Sequence, residues 1–209
     1  MVTKRAEHGY RGAVSRNDRA RSGGAPPGRD RDLLRWNARY ADEPPRFRPH
    51  PLVDAAFDAG LPQGLVLELA CGRSGSALAL ARRGRSVVAV DISDVALRQL
   101  GAEAERCGIR DRLHLVQAEA QAFDTGANRF ALVLATLYWD PAAFRIGCAV
   151  VAPGGLLGWE ALAATQPRRF RVRHGELSAQ LPGGFQVLSE ELVRTGTRAT
   201  TRLLARATA

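Results

Sequence analysis

Between residues 65 and 160 short apolar runs alternate with stretches whose apolar positions recur at helical spacing. Leu65–Leu69, Ser86–Val90, Leu113–Gln117, Phe130–Ala135 and Leu156–Glu160 read as strands, each too short and too continuously apolar for a surface helix. The intervening segments carry helix punctuation. Ala77–Arg83 ends at Gly84, a C-terminal stop; Ser93 caps a helix bearing Val95, Leu97, Leu100 and Ala104; Pro141 opens a helix that runs to about Val151. Strand–helix alternation of this kind predicts a mostly parallel sheet with helices on both faces. Ahead of it, Leu33, Leu34, Trp36 and Tyr40 form one helical stripe, stopped by Pro44-Pro45, and Leu52, Val53, Ala56 and Phe57 form a second, closed by Gly60. Behind it come a polar connection, a short helix over Glu176 to Leu181, and two strands, Phe185–Val193 and Arg198–Ala207, turned at Gly196. The expected fold is therefore α/β, a doubly wound, mostly parallel seven-stranded sheet with an antiparallel edge strand.

The first thirty residues break this pattern. They are rich in Arg, Gly, Ser and Asn, contain the breaker run 22–28, and hold almost nothing large and apolar. Such a segment cannot bury enough surface to offset its ordering entropy, so residues 1–30 read as a disordered basic tail and 31–209 as one domain. The tail also explains the charge. Residues 1–31 hold eight basic and three acidic residues, +5 of the formal +9. Only one of the thirty basic residues is lysine, Lys4, an arginine bias read as a reflection of genome base composition rather than of selection for phosphate contacts. Three scattered cysteines supply neither a disulfide framework nor a zinc site, and no metal is expected. No run approaches the roughly 18 apolar residues of a membrane span, and the basic N-terminus lacks an apolar signal core. A cytoplasmic location, a monomer or homodimer, and neither membrane nor nucleic acid as partner are expected.

Ligands of open α/β sheets lie beyond the carboxyl ends of the strands, so the residues at those ends carry the candidate chemistry. The first strand runs through Glu68 into Leu69-Ala70-Cys71-Gly72-Arg73-Ser74-Gly75, small residues that let a backbone approach a ligand ahead of a helix N-terminus. The second ends at Asp91-Ile92. Asp91 stands nineteen residues beyond Gly72 and is placed to accept hydrogen bonds from both hydroxyls of a ribose, with Ser93 left to cap the next helix. The third is followed by Glu119-Ala120, at the edge where an adenine amino group would sit. The fourth opens into Thr136-Leu137-Tyr138-Trp139-Asp140, two aromatics and an acid beside the expected cleft. Each has a plain structural alternative: a tight turn, a cap, a solvated acid, aromatics packed on the sheet edge.

In order and spacing, Val66–Gly75, Val88–Ser93 and Val151–Leu157 resemble three motifs of the class I S-adenosylmethionine-dependent methyltransferases, with Ala70 and Ser74 in place of two motif glycines and Ala131 where an aspartate is common. Trp36–Tyr40, His174–Leu177 and Ser189–Glu191 resemble segments of the tellurite-resistance-type small-molecule methyltransferases. The resemblance implies S-adenosylmethionine as cofactor and S-adenosylhomocysteine as product. It implies contacts from Glu68, Ala70, Cys71 and Gly72 at the methionine end, Asp91 and Ile92 at the ribose, Glu119 and Ala120 at the adenine, Thr136 beside them, and Arg39 and Tyr40 closing over the methionine. Tyr138 and Asp140 are the acceptor-side candidates, and the acceptor implied is a small molecule carrying a thiol, chalcogen, amine or hydroxyl. Three alternatives stay open: an RNA methyltransferase using the basic tail, a nicotinamide-dependent oxidoreductase reading Ala70–Gly75 as a dinucleotide turn, and a degenerate, non-catalytic binding module.

Overall fold

A computed structural model of the chain describes residues 29–165 and 170–208. The tail expected over residues 1–30 lies outside them apart from its last two residues, which open helix α1 (Arg29–Asp42). Seven strands form one path in the order β3-β2-β1-β4-β5-β8-β7, and a two-residue strand, β6 (Arg171–Val172), pairs in parallel with the far end of β5. The first five strands, β1 (Val66–Leu69), β2 (Val87–Asp91), β3 (Leu113–Gln117), β4 (Phe130–Ala135) and β5 (Val151–Ala163), are mutually parallel. β8 (Arg198–Ala207) runs against both β5 and β7 (Phe185–Thr195), which supplies the antiparallel pairing expected at this side of the sheet.

Both faces of the sheet are buried, which is why its strands read as continuous apolar runs. Leu67, Leu69, Val88, Val90, Val133 and Trp159 face one layer, where Phe144 and Cys148 of α5 (Pro141–Val150) pack against them. Val66, Val87, Ala89, Leu132, Leu134 and Leu156 face the other, under α2 (Leu52–Asp58), α3 (Gly75–Arg82) and α4 (Asp94–Arg106). Each fully buried leucine or valine contributes about 1.5–3 kcal/mol. Helix α6 (Glu176–Ala179) is a single turn near β7 and β8.

The chain steps outward from β1 to β2 to β3, then returns to β4 on the other flank of β1. The order reverses at the β1/β4 boundary, and a crevice opens there above the carboxyl ends. Two elements differ from the sequence expectation: the short β6 forms where only a polar connection is expected, and β5 is longer at both ends. β5 starts at Val151 rather than Leu156 and carries the Pro153-Gly154-Gly155 turn inside it; the pairing with β4 slips between Phe130 and Leu132 to absorb the extra residues, as a bulge does.

Candidate active site

Above the crevice lies a cavity of about 1010 Å³, at the top of the range typical of ligand pockets. Backbone conformation singles out the same place. Among the described residues three non-glycine positions have positive φ, Ala70 (50°), Leu137 (55°) and Phe170 (65°), and all three line this cavity. A left-handed conformation costs a non-glycine residue on the order of 1–3 kcal/mol and persists where surrounding structure enforces it, typically at functional sites.

The loop after β1 is built on two buried carboxyl groups. Asp91, at the end of β2, accepts from the Gly72 N–H (2.7 Å) through Oδ2 and from the Ser93 N–H (2.8 Å) through Oδ1, and so ties the two strand-end loops together. Burial pushes its carboxyl above the ordinary value, and backbone N–H groups of Ser93, Gly72 and Ile92 pull it back. Ser93 Oγ separately accepts from the Ala96 N–H and caps α4. Asp91 is thus already engaged rather than left free by that cap, although it still lines the cavity. Glu68 lies one level lower. It is fully buried and meets the Ser74 hydroxyl at 2.6 Å and 2.8 Å, while Ser74 Oγ accepts from the Ala77 N–H to cap α3. Burial raises the Glu68 carboxyl to about 8. Ser74, in a motif glycine's place, therefore couples the buried acid to the helix start.

Helix α1 covers this loop. The Asn37 side chain accepts from Ser93 Oγ (2.6 Å) and donates to Asp94 (2.7 Å), and Gln99 Nε2 donates to the Tyr40 carbonyl (3.1 Å), which pins α1 to α4. A Cβ on Gly72 would lie 2.3 Å from the Tyr40 hydroxyl. The Arg73 guanidinium sits 4.9 Å from the Tyr40 ring centre and donates to the Glu43 carbonyl (2.6 Å); Arg39 pairs with the Glu43 carboxylate (3.1 Å). Burial, with Asp91 and Cys71 beside it, raises the Tyr40 phenol, and burial likewise holds the Cys71 thiol protonated.

Across the crevice the loop after β4 is simpler. Asp140 Oδ1 accepts from the Ala142 and Ala143 N–H groups (2.9 Å each), capping α5 behind Pro141. Of the two aromatics, Trp139 is buried against Phe144, and Tyr138 is half-buried with its hydroxyl donating to Gln121 (3.2 Å). Burial, with Asp140, Glu119 and Asp91 nearby, raises the Tyr138 phenol well above its ordinary value.

Eleven of the thirteen residues singled out in the sequence line this one cavity: Arg39, Tyr40, Ala70, Cys71, Asp91, Ile92, Glu119, Ala120, Thr136, Tyr138 and Asp140. Glu68 and Gly72 do not. Glu68 is sealed beneath the loop by Ser74, and Gly72 is turned toward Asp91 and covered by Tyr40. Ala131 has no bearing on the cavity, because it sits at the amino end of β4 against Gly64. The sequence reading missed Arg46, Leu162, Phe170 and Arg198, which reach the cavity from the α1–α2 connection and from the β5–β8 side. Among the described residues no group of three or more His, Cys, Asp or Glu is arranged to hold a metal ion, and no helix is long and apolar enough to cross a membrane.

The fold is the Rossmann-like methyltransferase fold. A family model described as the methyltransferase domain matches residues 66–155, the span from β1 into β5. In that match and that fold the chain is similar to the S-adenosylmethionine-dependent methyltransferases. Three solved structures illustrate the likeness. TehB from Haemophilus influenzae is 16% identical, with a TM-score of 0.66 over 83% of this chain and 67% of its own. Magnesium protoporphyrin IX methyltransferase from Synechocystis PCC 6803, solved with bound S-adenosylmethionine, is 15% identical, with a TM-score of 0.62 over 89% of this chain and 86% of its own. The [4+2]-cyclase SpnF is 18% identical, with a TM-score of 0.66 over 87% of this chain and 96% of its own.

Proposed function

We propose that this chain is a cytoplasmic enzyme that transfers the methyl group of S-adenosylmethionine to a small-molecule acceptor. The observation that carries the reading is convergence: the methyltransferase-domain match ends its strands in Ala70-Cys71, Asp91-Ile92, Glu119-Ala120 and Thr136, and all of these meet in one cavity. The residues fit the cofactor. Asp91 is a buried carboxylate at the cavity wall whose oxygens keep lone pairs for ribose hydroxyls, Ile92 and Ala120 offer apolar contact for a base, and Tyr40 presents an aromatic ring near the place of a sulfonium.

The bound cofactor supplies an activated methyl group on a positively charged sulfur. What remains for the protein is to align the acceptor and exclude water, and alignment alone accounts for up to ~7–11 kcal/mol of a barrier. Helix α1 provides the cover, fastened through Asn37 to the start of α4. Tyr138 stays protonated with its one proton donated to Gln121, so its hydroxyl oxygen is left to accept from an N–H or O–H of the methyl acceptor and orient it, and it does not serve as a base. One Asp140 oxygen is committed to capping α5, which leaves its other oxygen as the single carboxylate atom of that loop open to the acceptor. An acceptor that arrives ionised, or with a free lone pair, asks least of these residues.

The likeness to a cyclase makes a second reading specific: the same fold serves an enzyme named for a different reaction. Calorimetric titration with S-adenosylhomocysteine separates cofactor binding from turnover. Roughly micromolar affinity is expected, followed by S-adenosylhomocysteine release from S-adenosylmethionine when thiol, chalcogen, amine and hydroxyl acceptors are supplied in turn. Binding without release across the panel would favour the cyclase-like reading, and no binding by the folded protein would leave a binding module.

A further inference from the structure

The two ends of the cavity differ in chemistry. At the β2–β3 end stand Asp91 and Glu119; at the β5–β8 end stand Leu137, Leu162, Phe170 and Arg198. Arg198 opens β8 beside the pairing of Leu162 with Thr200, which puts it on the flank of β5, away from the proposed nucleoside side. Five arginines line the cavity, and three are engaged: Arg35 with Asp32 (3.4 Å), Arg39 with Glu43 (3.1 Å), and Arg73 with the Glu43 carbonyl (2.6 Å). The side chains of Arg46 and Arg198 make no hydrogen bond or ion pair with another described residue. In the same cavity lining two large apolar side chains are exposed, Leu137 (50%) and Phe170 (40%), each on a left-handed backbone. Exposed apolar side chains and guanidinium groups without a partner among the described residues line one cavity, which gives it apolar and anion-binding parts together.

We infer that the β5–β8 end of the cavity is an acceptor subsite for a small organic anion, its apolar body lying against Leu137, Leu162 and Phe170 and its carboxylate or phosphate held by Arg198 with Arg46. The inference rests on the methyltransferase reading for the word acceptor, but the anion site stands on its own geometry. The guanidinium fork matches the planar geometry of a carboxylate and the oxygens of a phosphate. An anion there also sits favourably opposite a cofactor whose sulfur is cationic, since water-poor clefts strengthen charge attraction. The cavity volume fits two bodies of ligand size, one at each end.

The test is calorimetric titration of the full chain, with and without saturating S-adenosylhomocysteine, using 2-naphthoate, its neutral amide 2-naphthamide, and a short single-stranded RNA. The carboxylate binds at least about tenfold more tightly than the amide, as expected for a charge-assisted contact. Arg198→Ala removes most of that preference, Arg46→Ala part of it, and Arg198→Lys restores some; S-adenosylhomocysteine affinity stays within about twofold in all three. Both arginines are exposed, so the variants should melt with the parent. Equal binding of acid and amide, or a preference that survives loss of both arginines, overturns the subsite. RNA that binds more tightly than the naphthoate and displaces it also overturns it, in favour of a polyanion. If S-adenosylhomocysteine itself fails to bind, the cofactor reading falls, and the acid-over-amide preference in the unloaded protein still decides the anion site.

Discussion

The loops that follow β1 and β4 share one design and differ in what holds it. Each turns through a left-handed non-glycine residue, Ala70 or Leu137, and each ends in a side chain that caps the next helix, Ser74 or Asp140. The β1 loop is woven into its surroundings: Gly72 is bonded to Asp91 from β2, Ser74 to Glu68 beneath it, and Tyr40 of α1 closes on top. The β4 loop is held by backbone bonds to β5 and by its own helix cap, with no buried acid beneath it. Asp140 bonds within its own helix start, Leu137 is half exposed, and Tyr138 is tied to β5 through its backbone, its N–H donating to the Glu160 carbonyl (3.2 Å) and its carbonyl accepting from the Trp159 indole (2.8 Å), while its hydroxyl meets Gln121. The register puts Glu68 directly beside Leu134, so where one strand carries a buried acid the other carries a leucine. A loop that serves one constant cofactor can be fixed by buried polar groups. A loop held to its neighbours through its backbone leaves the side chains that would meet the acceptor freer to change.

The largest effect should come from cutting the weave at its shared point. Asp91→Ala strands the Gly72 and Ser93 N–H groups in a buried setting. Each unmet donor costs about 1–3 kcal/mol, so a stability loss of roughly 2–4 kcal/mol is expected, together with at least a tenfold loss of S-adenosylhomocysteine affinity. Asp140→Ala is the matched cut in the other loop and removes only a helix cap, about 1 kcal/mol, with cofactor affinity unchanged. Urea denaturation and calorimetry on both variants check this. Equal losses in the two would erase the distinction between the loops.

A smaller effect tests the cover. Gly72→Ala places a methyl group on a left-handed backbone (φ 54°) and against the Tyr40 hydroxyl. About 1–2 kcal/mol is expected from the backbone alone, and the contact adds to it. Tyr40→Phe removes the nearest atom and should return part of the loss in the double variant, a coupling that thermal melts of the four proteins would reveal. Purely additive losses would mean that α1 does not bear on the loop.

Much of this contrast was legible in the sequence, and the reason is local. β3 and β4 were placed to the residue because their apolar runs are bounded by polar turns, and Ser93 and Pro141 mark helix starts by chemistry that acts within one turn. The glycine turn and Asp91 could be paired because one strand and one helix separate them. The acceptor end could not be read in the same way. Leu162, Phe170 and Arg198 reach the cavity because β8 inserts between β5 and β7 and because β5 runs on to Ala163, and neither follows from periodicity; Arg46 reaches it from the α1–α2 connection, which has no regular structure to read. Glu68 was taken for a ligand contact because it stands in the motif; its burial beneath Ser74 depends on which way the strand faces, and in a strand buried on both sides no alternation reveals that.

The last contrast belongs to Glu68 and separates the loops by titration. Burial lifts its carboxyl from 4.5 to about 8 in the folded protein, whereas in the unfolded chain it returns to the ordinary value. Between those limits the folded state holds a proton that the unfolded state has lost, so this group's stabilising contribution is full below about 4.5 and drains away as pH rises through about 8. Asp91, also raised by burial, adds a slope of the same sign, so the measurement must be a difference between proteins. Glu68→Gln keeps the shape and a neutral partner for Ser74 while removing the titration. Its urea midpoint should match the parent near pH 5 and exceed it near pH 8, with S-adenosylhomocysteine affinity unchanged because Glu68 does not line the cavity. Parallel pH profiles for parent and variant would mean that the acid beneath the β1 loop is no more consequential than the leucine beside it in β4.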